Sequence, residues 1–181
     1  MTARRVALVA IAFVGAGALL AIIACVRHPP LLALARYAFT SGALRVPVAG
    51  VRPSSLTDSW SEPRSGGRRH QGIDIFARRG TPVVAAAPGE VLRIGDNSLG
   101  GHCVWIAGAG ARIYYYAHLD RIEPALTVGD SVAAGDTLGF VGTTGNARGT
   151  SPHLHFGVYP LSNAMMAVDP FPLLARGRER R

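Results

Sequence analysis

From Gly72 onward the chain is a succession of short apolar or alternating runs, each closed by turn residues, and this rhythm leaves room for little but β-structure. The runs cover 73–76, 82–86, 89–94, 103–107, 113–117, 137–141 and 153–159. Between them stand Arg79-Gly80, Pro88-Gly89, Gly95-Asp96-Asn97, Gly108-Ala109-Gly110, Gly129-Asp130, Gly135-Asp136 and Thr144-Gly145-Asn146. Segments of this length, rich in Val, Ile and Tyr, suit a pleated surface, while Gly, Asn and Asp supply the backbone freedom that turns require. No helix of useful length fits among them. The expected fold class is mainly β, a compact antiparallel sheet or sandwich of short strands, with one hydrophobic helix at the N-terminus.

That helix is expected from Val6 to Cys25, a run without a single charge that follows Arg4 and Arg5. A basic start and an apolar core form an export signal, and the run approaches the ~20 residues that cross a bilayer. The charged start stays cytoplasmic, which places the remainder on the outer, periplasmic side of the inner membrane. Ile22-Ile23-Ala24-Cys25 resembles a bacterial lipobox, in which the cysteine becomes lipidated; the length of the apolar run favours an uncleaved anchor ending near Arg27. Either outcome gives an exported, membrane-tethered protein. The expected division is a signal anchor or lipoprotein signal over 1–27, then a linker over 28–50. A domain over 51–172 and a basic tail over 173–181 complete it. Pro29 and Pro30 end the first helix; a short amphipathic helix is expected over 31–39, and 46–61 reads as loop.

All 19 basic residues are Arg, against 11 acidic ones, for a net charge of +8. The arginines are spread along the chain and accompany no nucleic-acid-binding motif, so no nucleic acid partner is expected. An anionic polymer or a lipid headgroup surface would explain the charge as well. Of the two cysteines, Cys103 lies in a strand-like segment and reads as a small buried apolar side chain. Cys25 belongs to the membrane run, which argues against a disulfide between them.

Four of the six histidines fall in three short places beside strand patterns. His70 and Asp74 share parity on a loop entering a strand, and His153 and His155 share one face of a strand while Leu154 turns to the core. His118 stands at the end of the 113–117 strand. Taken singly, each reads as an ordinary surface or hydrogen-bonded histidine. Together they supply neutral imidazoles and a carboxylate, the donor set that zinc takes in catalytic sites with three protein ligands and one open position. Two further histidines would remain for proton transfer.

The residues between Gly67 and Tyr159 resemble the lysostaphin-type, LytM-like zinc metallopeptidases that act as peptidoglycan endopeptidases. The resemblance is carried by Gly67-Arg68-Arg69-His70-Gln71-Gly72-Ile73-Asp74-Ile75, Gly80-Thr81-Pro82-Val83 and Tyr116-Ala117-His118-Leu119. It continues through Gly129-Asp130-Ser131-Val132 and Gly135-Asp136-Thr137-Leu138-Gly139 to Pro152-His153-Leu154-His155-Phe156, in the family's order. It implies that His70, Asp74 and His155 hold Zn²⁺ and that His118 and His153 are catalytic. One of these two would be the general base that later passes the proton to the leaving amine. Gly157 departs from the pattern, since family members often carry an acidic residue there, and the 146–151 loop is somewhat longer than usual.

The implied function is zinc-dependent hydrolysis of peptide cross-links or stem peptides of bacterial peptidoglycan, with a protein activator as a further partner. A catalytically inert regulator of other wall hydrolases is the alternative, and the intact set of ligands argues against it. A biotinyl- or lipoyl-carrier module, suggested by Val128-Gly129-Asp130, fails because the chain has no Lys. Tyr114, Tyr115 and Tyr116 are candidates for a substrate groove, with one or two of them in the core. Arg148 is expected to be a solvated loop arginine, with a substrate carboxylate as its other possible partner.

Overall fold

The computed structural model describes residues 36, 37, 40, 44–160 and 166–175. Eight strands form one antiparallel sheet: β1 (Ile73–Phe76), β2 (Pro82–Val84), β3 (Gly89–Asn97), β4 (Gly101–Gly108), β5 (Arg112–Ile122), β6 (Ser131–Val132), β7 (Thr137–Val141) and β8 (His153–Pro160). The main path runs β1-β8-β5-β4-β3-β6, and β7 pairs with both β2 and β5. The expected mainly β class is therefore the observed one. Only β6 has no counterpart among the expected runs; at two residues it is too short to show a period.

Strand parity builds the core. Ile73 and Ile75 of β1 and Leu154, Phe156 and Val158 of β8 are buried. They meet Val104 and Ile106 of β4 and Tyr114 and Tyr116 of β5 in one cluster. Each such side chain adds roughly 1.5–3 kcal/mol by leaving water. The two buried phenols keep their polar ends satisfied: Tyr114 donates to the Ala109 carbonyl at 2.8 Å, and Tyr116 accepts from the Ala86 N–H at 2.9 Å. Tyr115 alone of the three points to the opposite face.

β5 is the organising strand because it changes partner midway. Its first part pairs with β8 through Ala117↔His155, and its last part pairs with β7 from Leu119↔Val141. His118 sits at the change with φ 64°, beside a register shift against β4. The strand thus continues past the expected end at 117 and carries His118 in its interior, at a left-handed bend. A non-glycine residue in such a conformation costs about 1–3 kcal/mol, so the surrounding bonds must hold it there.

The packed region extends beyond both ends of the expected 51–172 domain. Leu44, Val46 and Val48 are buried, and Val48 bridges to Val83. At the other end a short helix, α1 (Phe171–Ala175), buries Leu174 completely. Isolated apolar residues among Pro, Ser and Gly carried no periodicity to reveal this packing. Of the expected 31–39 helix, only Arg36 and Tyr37 are described, both helical. The apolar 6–25 run and the possible lipid site at Cys25 lie outside the described residues. Among the described residues, no helix is long and apolar enough to cross a membrane.

Candidate metal centre

β1 and β8 lie side by side with Asp74 directly opposite His155. The Asp74 N–H turns away from β8 and donates to Ser59 Oγ at 3.0 Å, so this is a non-hydrogen-bonded pair, the kind whose side chains approach most closely. His70 enters from the loop before β1. The result is a convergence of three atoms: His70 Nε2 lies 2.8 Å from His155 Nδ1 and 3.0 Å from Asp74 Oδ1, and His155 Nδ1 lies 3.3 Å from that same oxygen.

Which nitrogen of each ring carries hydrogen follows from its outer partner. His70 Nδ1 lies 2.6 Å from the Ser59 carbonyl, which can only accept, so Nδ1 donates and Nε2 keeps its lone pair for the centre. Arg64 Nη2 sits 2.7 Å from the same Nδ1, but its hydrogen bond goes to Asp74 Oδ2 at 2.6 Å. With Oδ2 engaged, Asp74 offers Oδ1 inward.

Lone-pair nitrogens and a carboxylate oxygen at this spacing repel one another unless a proton or cation lies among them. A tetrahedral ion bound at ~2.0–2.1 Å has ligand–ligand edges of roughly 3.3–3.4 Å, close to the widest separation found here and a few tenths of an ångström beyond the other two. The three residues therefore fit a metal ion, and they are the one group among the described residues with that potential. The electrostatics agree. Burial raises the Asp74 carboxyl pKa, but hydrogen bonds and charge from His155 and His70 outweigh it and hold the group well below the usual carboxylate range. Burial pushes His155 down, keeping the ring neutral.

His118 and His153 flank this group without joining it. Their rings lie 5.0 Å apart between centroids, and His118 is 5.8 Å from His155. His118 donates from Nδ1 to the Thr144 carbonyl at 2.9 Å, and His153 donates from Nδ1 to the Ser151 carbonyl at 2.8 Å. Each is thereby left with Nε2 as its free nitrogen; that of His153 lies 3.9 Å from Asp74 Oδ1. Burial, followed by the neighbouring His155 and His153, pushes the His118 pKa down to about 4. At neutral pH it is an unprotonated imidazole, a proton acceptor.

Thr144 holds His118 by more than its carbonyl. Its hydroxyl donates to the Leu119 carbonyl at 2.8 Å and accepts from the His102 N–H at 3.0 Å. Backbone meets backbone here: a Cβ on Gly145 would stand 2.3 Å from both Gly101 N and Leu99 O. Ser59, Arg64 and Thr144 were not indicated by the sequence, because each reaches the site from a loop distant in the chain and none belongs to a recognisable spacing.

The hollow above these residues has a volume of about 480 Å³. Arg64, Arg68 and Arg69 line it on one side and Asn97, Asn146 and Thr150 elsewhere, with Tyr115 and Tyr159 also exposed to it. Arg148 lines a separate hollow with Asp96 and His102. Gly157 is closely covered; a Cβ there would stand 3.1 Å from the Tyr159 ring and 3.2 Å from the Gln71 carbonyl. Cys103 is a free, buried thiol, pushed up to about 11 mainly by burial.

This fold is that of a family of peptidases. The signature of peptidase family M23 matches residues 68–170, more than half of the chain, and the protein belongs to that family. It is 36% identical over 128 residues to the L-Ala--D-Glu endopeptidase of Bacillus subtilis, a match covering 66% of this chain and 39% of that protein. It is also 35% identical to the glycyl-glycine endopeptidase of Staphylococcus capitis, covering 60% of this chain and 30% of that one. The chain thus spans well under half the length of these relatives. Among solved structures, the catalytic domain of lysostaphin from Staphylococcus simulans superposes with a TM-score of 0.58 at 31% identity, covering 66% of this chain and 92% of that domain.

Proposed function

We propose that this protein is a zinc-dependent endopeptidase that hydrolyses peptide bonds in bacterial peptidoglycan. The observation that carries the reading is the convergence of His70 Nε2, Asp74 Oδ1 and His155 Nδ1 within 3.3 Å, beside two histidines whose Nε2 atoms remain free. The relatives' activities on wall peptides support the substrate class.

Zinc held by His70, Asp74 and His155 would supply a polarised water and a Lewis acid for the scissile carbonyl. The chain's own residues do the rest. Arg64 occupies the outer oxygen of Asp74 and leaves Oδ1 directed at the two histidines. His118, neutral at pH 7 and oriented by Thr144, accepts a proton at Nε2. The same proton then passes from His118 to the leaving amine, while His153, oriented by Ser151, stands across the cleft with its Nε2 free. Tyr115 and Tyr159 line the hollow beside these groups.

The uncharged 6–25 run supports export and tethering outside the membrane, by a retained anchor or through lipid on Cys25. Incubating the purified protein with cross-linked peptidoglycan, with and without a chelator, tests the reading. Soluble muropeptides should appear, vanish with chelator and return with Zn²⁺. Zinc-loaded protein that releases nothing would favour an inert regulator.

A further inference from the structure

The site's charge is lopsided in a way that the metal centre does not use. Three arginines, Arg64, Arg68 and Arg69, line the hollow, and Asp74 is the only carboxylate lining it. Asp74 is already committed inward to the two histidines and outward to Arg64. Arg68 and Arg69 make no ion pair among the described residues. Their hydrogen bonds are long ones to neutral acceptors, Arg68 Nη2 to Ser65 Oγ at 3.4 Å and Arg69 Nη1 to the Ser61 carbonyl at 3.3 Å. The Asn97, Asn146 and Thr150 lining is uncharged.

The geometry points to a substrate peptide that carries a free carboxylate close to the scissile bond, received by Arg68 and Arg69. Building on the endopeptidase reading above, this assigns the protein to acid-bearing stem peptides over neutral oligoglycine bridges. A guanidinium presents a planar fork of N–H donors that matches a carboxylate with two parallel bonds. A neutral bridge entering the same cleft would form no charge-assisted bond with these two exposed guanidiniums, and the acid form's extra pairing is what discriminates between them. Arg148 is not part of this recognition, since it lines the other hollow.

The test uses the full-length, zinc-loaded protein in detergent and two synthetic stem peptides that differ only in a carboxylate or a carboxamide beside the cleaved bond. The acid form should be cut with kcat/KM about tenfold or more higher, the scale of one charge-assisted bond. Most of the difference should lie in KM and shrink at high salt. In an Arg68→Gln/Arg69→Gln variant the two peptides should converge, while Arg148→Gln keeps the preference. Equal cleavage of both peptides by the wild type, or a preference that survives in the double variant, overturns the assignment. Should neither peptide be cut, the endopeptidase reading fails and calorimetric binding decides the remainder. Tighter binding of the acid form, lost in the double variant, upholds carboxylate recognition; equal binding ends it.

Discussion

The carbonyl oxygen of Ser59 lies 2.6 Å from Nδ1 of His70, and the same residue's hydroxyl accepts the backbone N–H of Asp74 at 3.0 Å. One buried serine therefore sets the tautomer of one candidate ligand and the strand position of the other. Ser59→Ala keeps the carbonyl but leaves the Asp74 N–H without its acceptor. Outer partners of this kind are typically worth about 10–100-fold in metal affinity. We expect Ser59→Ala to weaken zinc binding by that factor, read by competition with a chromophoric chelator, with the circular dichroism of the sheet retained. Wild-type affinity in the variant would remove Ser59 from the centre.

His118 approaches the three candidate ligands yet spends Nδ1 on Thr144 and adds no atom to the group. His118→Ala should keep one equivalent of zinc while turnover falls by about 10²–10⁴. His118→Asn is the companion variant, since Asn tolerates the left-handed backbone found there; it should lose activity equally. Metal analysis beside a muropeptide assay checks both. Loss of zinc in the Asn variant would make His118 a ligand.

Much of this site was legible because strand parity is rigid. His153 and His155 share a face by spacing alone, and Leu154 between them is fully buried as that parity demands. Asp74 and His70 were grouped by the same argument, although the close pairing of Asp74 with His155 depends on the β1–β8 register, which no local pattern encodes. By sequence His118 stands at the end of the 113–117 strand; only the exchange of β8 for β7 as partner shows why the strand runs on through it and bends there. Ser59, Arg64 and Thr144 act through single backbone or side-chain atoms across 10 to 26 positions of sequence, contacts that leave no periodic trace.

Acid should destabilise the metal-free domain well before its carboxylates titrate. Burial lowers His118 from an ordinary 6.5 to about 4 and lowers His155 as well. As pH falls through about 6.5 the unfolded chain takes up these protons first, so stability is full above that pH and drains away down to the folded values. Asp74, held below its ordinary value, extends the loss in the same direction below pH 4. At pH 5 His118 alone should cost about 2 kcal/mol. Urea midpoints measured in chelator at pH 7.5 and pH 5 test this; equal midpoints would contradict it, and zinc at pH 7.5 should raise the midpoint.

Gly72 lies where the loop carrying His70 meets β1, and its missing side chain makes room for the candidate metal ligand His155. A Cβ there would stand 2.7 Å from His155 Cε1 and 2.6 Å from the Phe156 carbonyl oxygen. Turning the ring relieves only the first contact; the carbonyl belongs to the β8 ladder, so the chain at Gly72 must also shift away from β8, and both movements pull His155 Nδ1 and the His70 loop apart. Overpacking of this sort costs about 1–3 kcal/mol, and the displaced ligand adds a functional loss beyond it. Gly72→Ala should therefore fold with a lowered urea midpoint and bind zinc at least tenfold more weakly, the low end of losses from disturbing a ligand's support. Val83→Ala, a core truncation at the β2–β7 pair, provides the comparison: it should lower the midpoint by a similar or greater amount while zinc affinity stays near wild type. If the two variants lost zinc in proportion to stability alone, the close approach of Gly72 to His155 would carry no special weight.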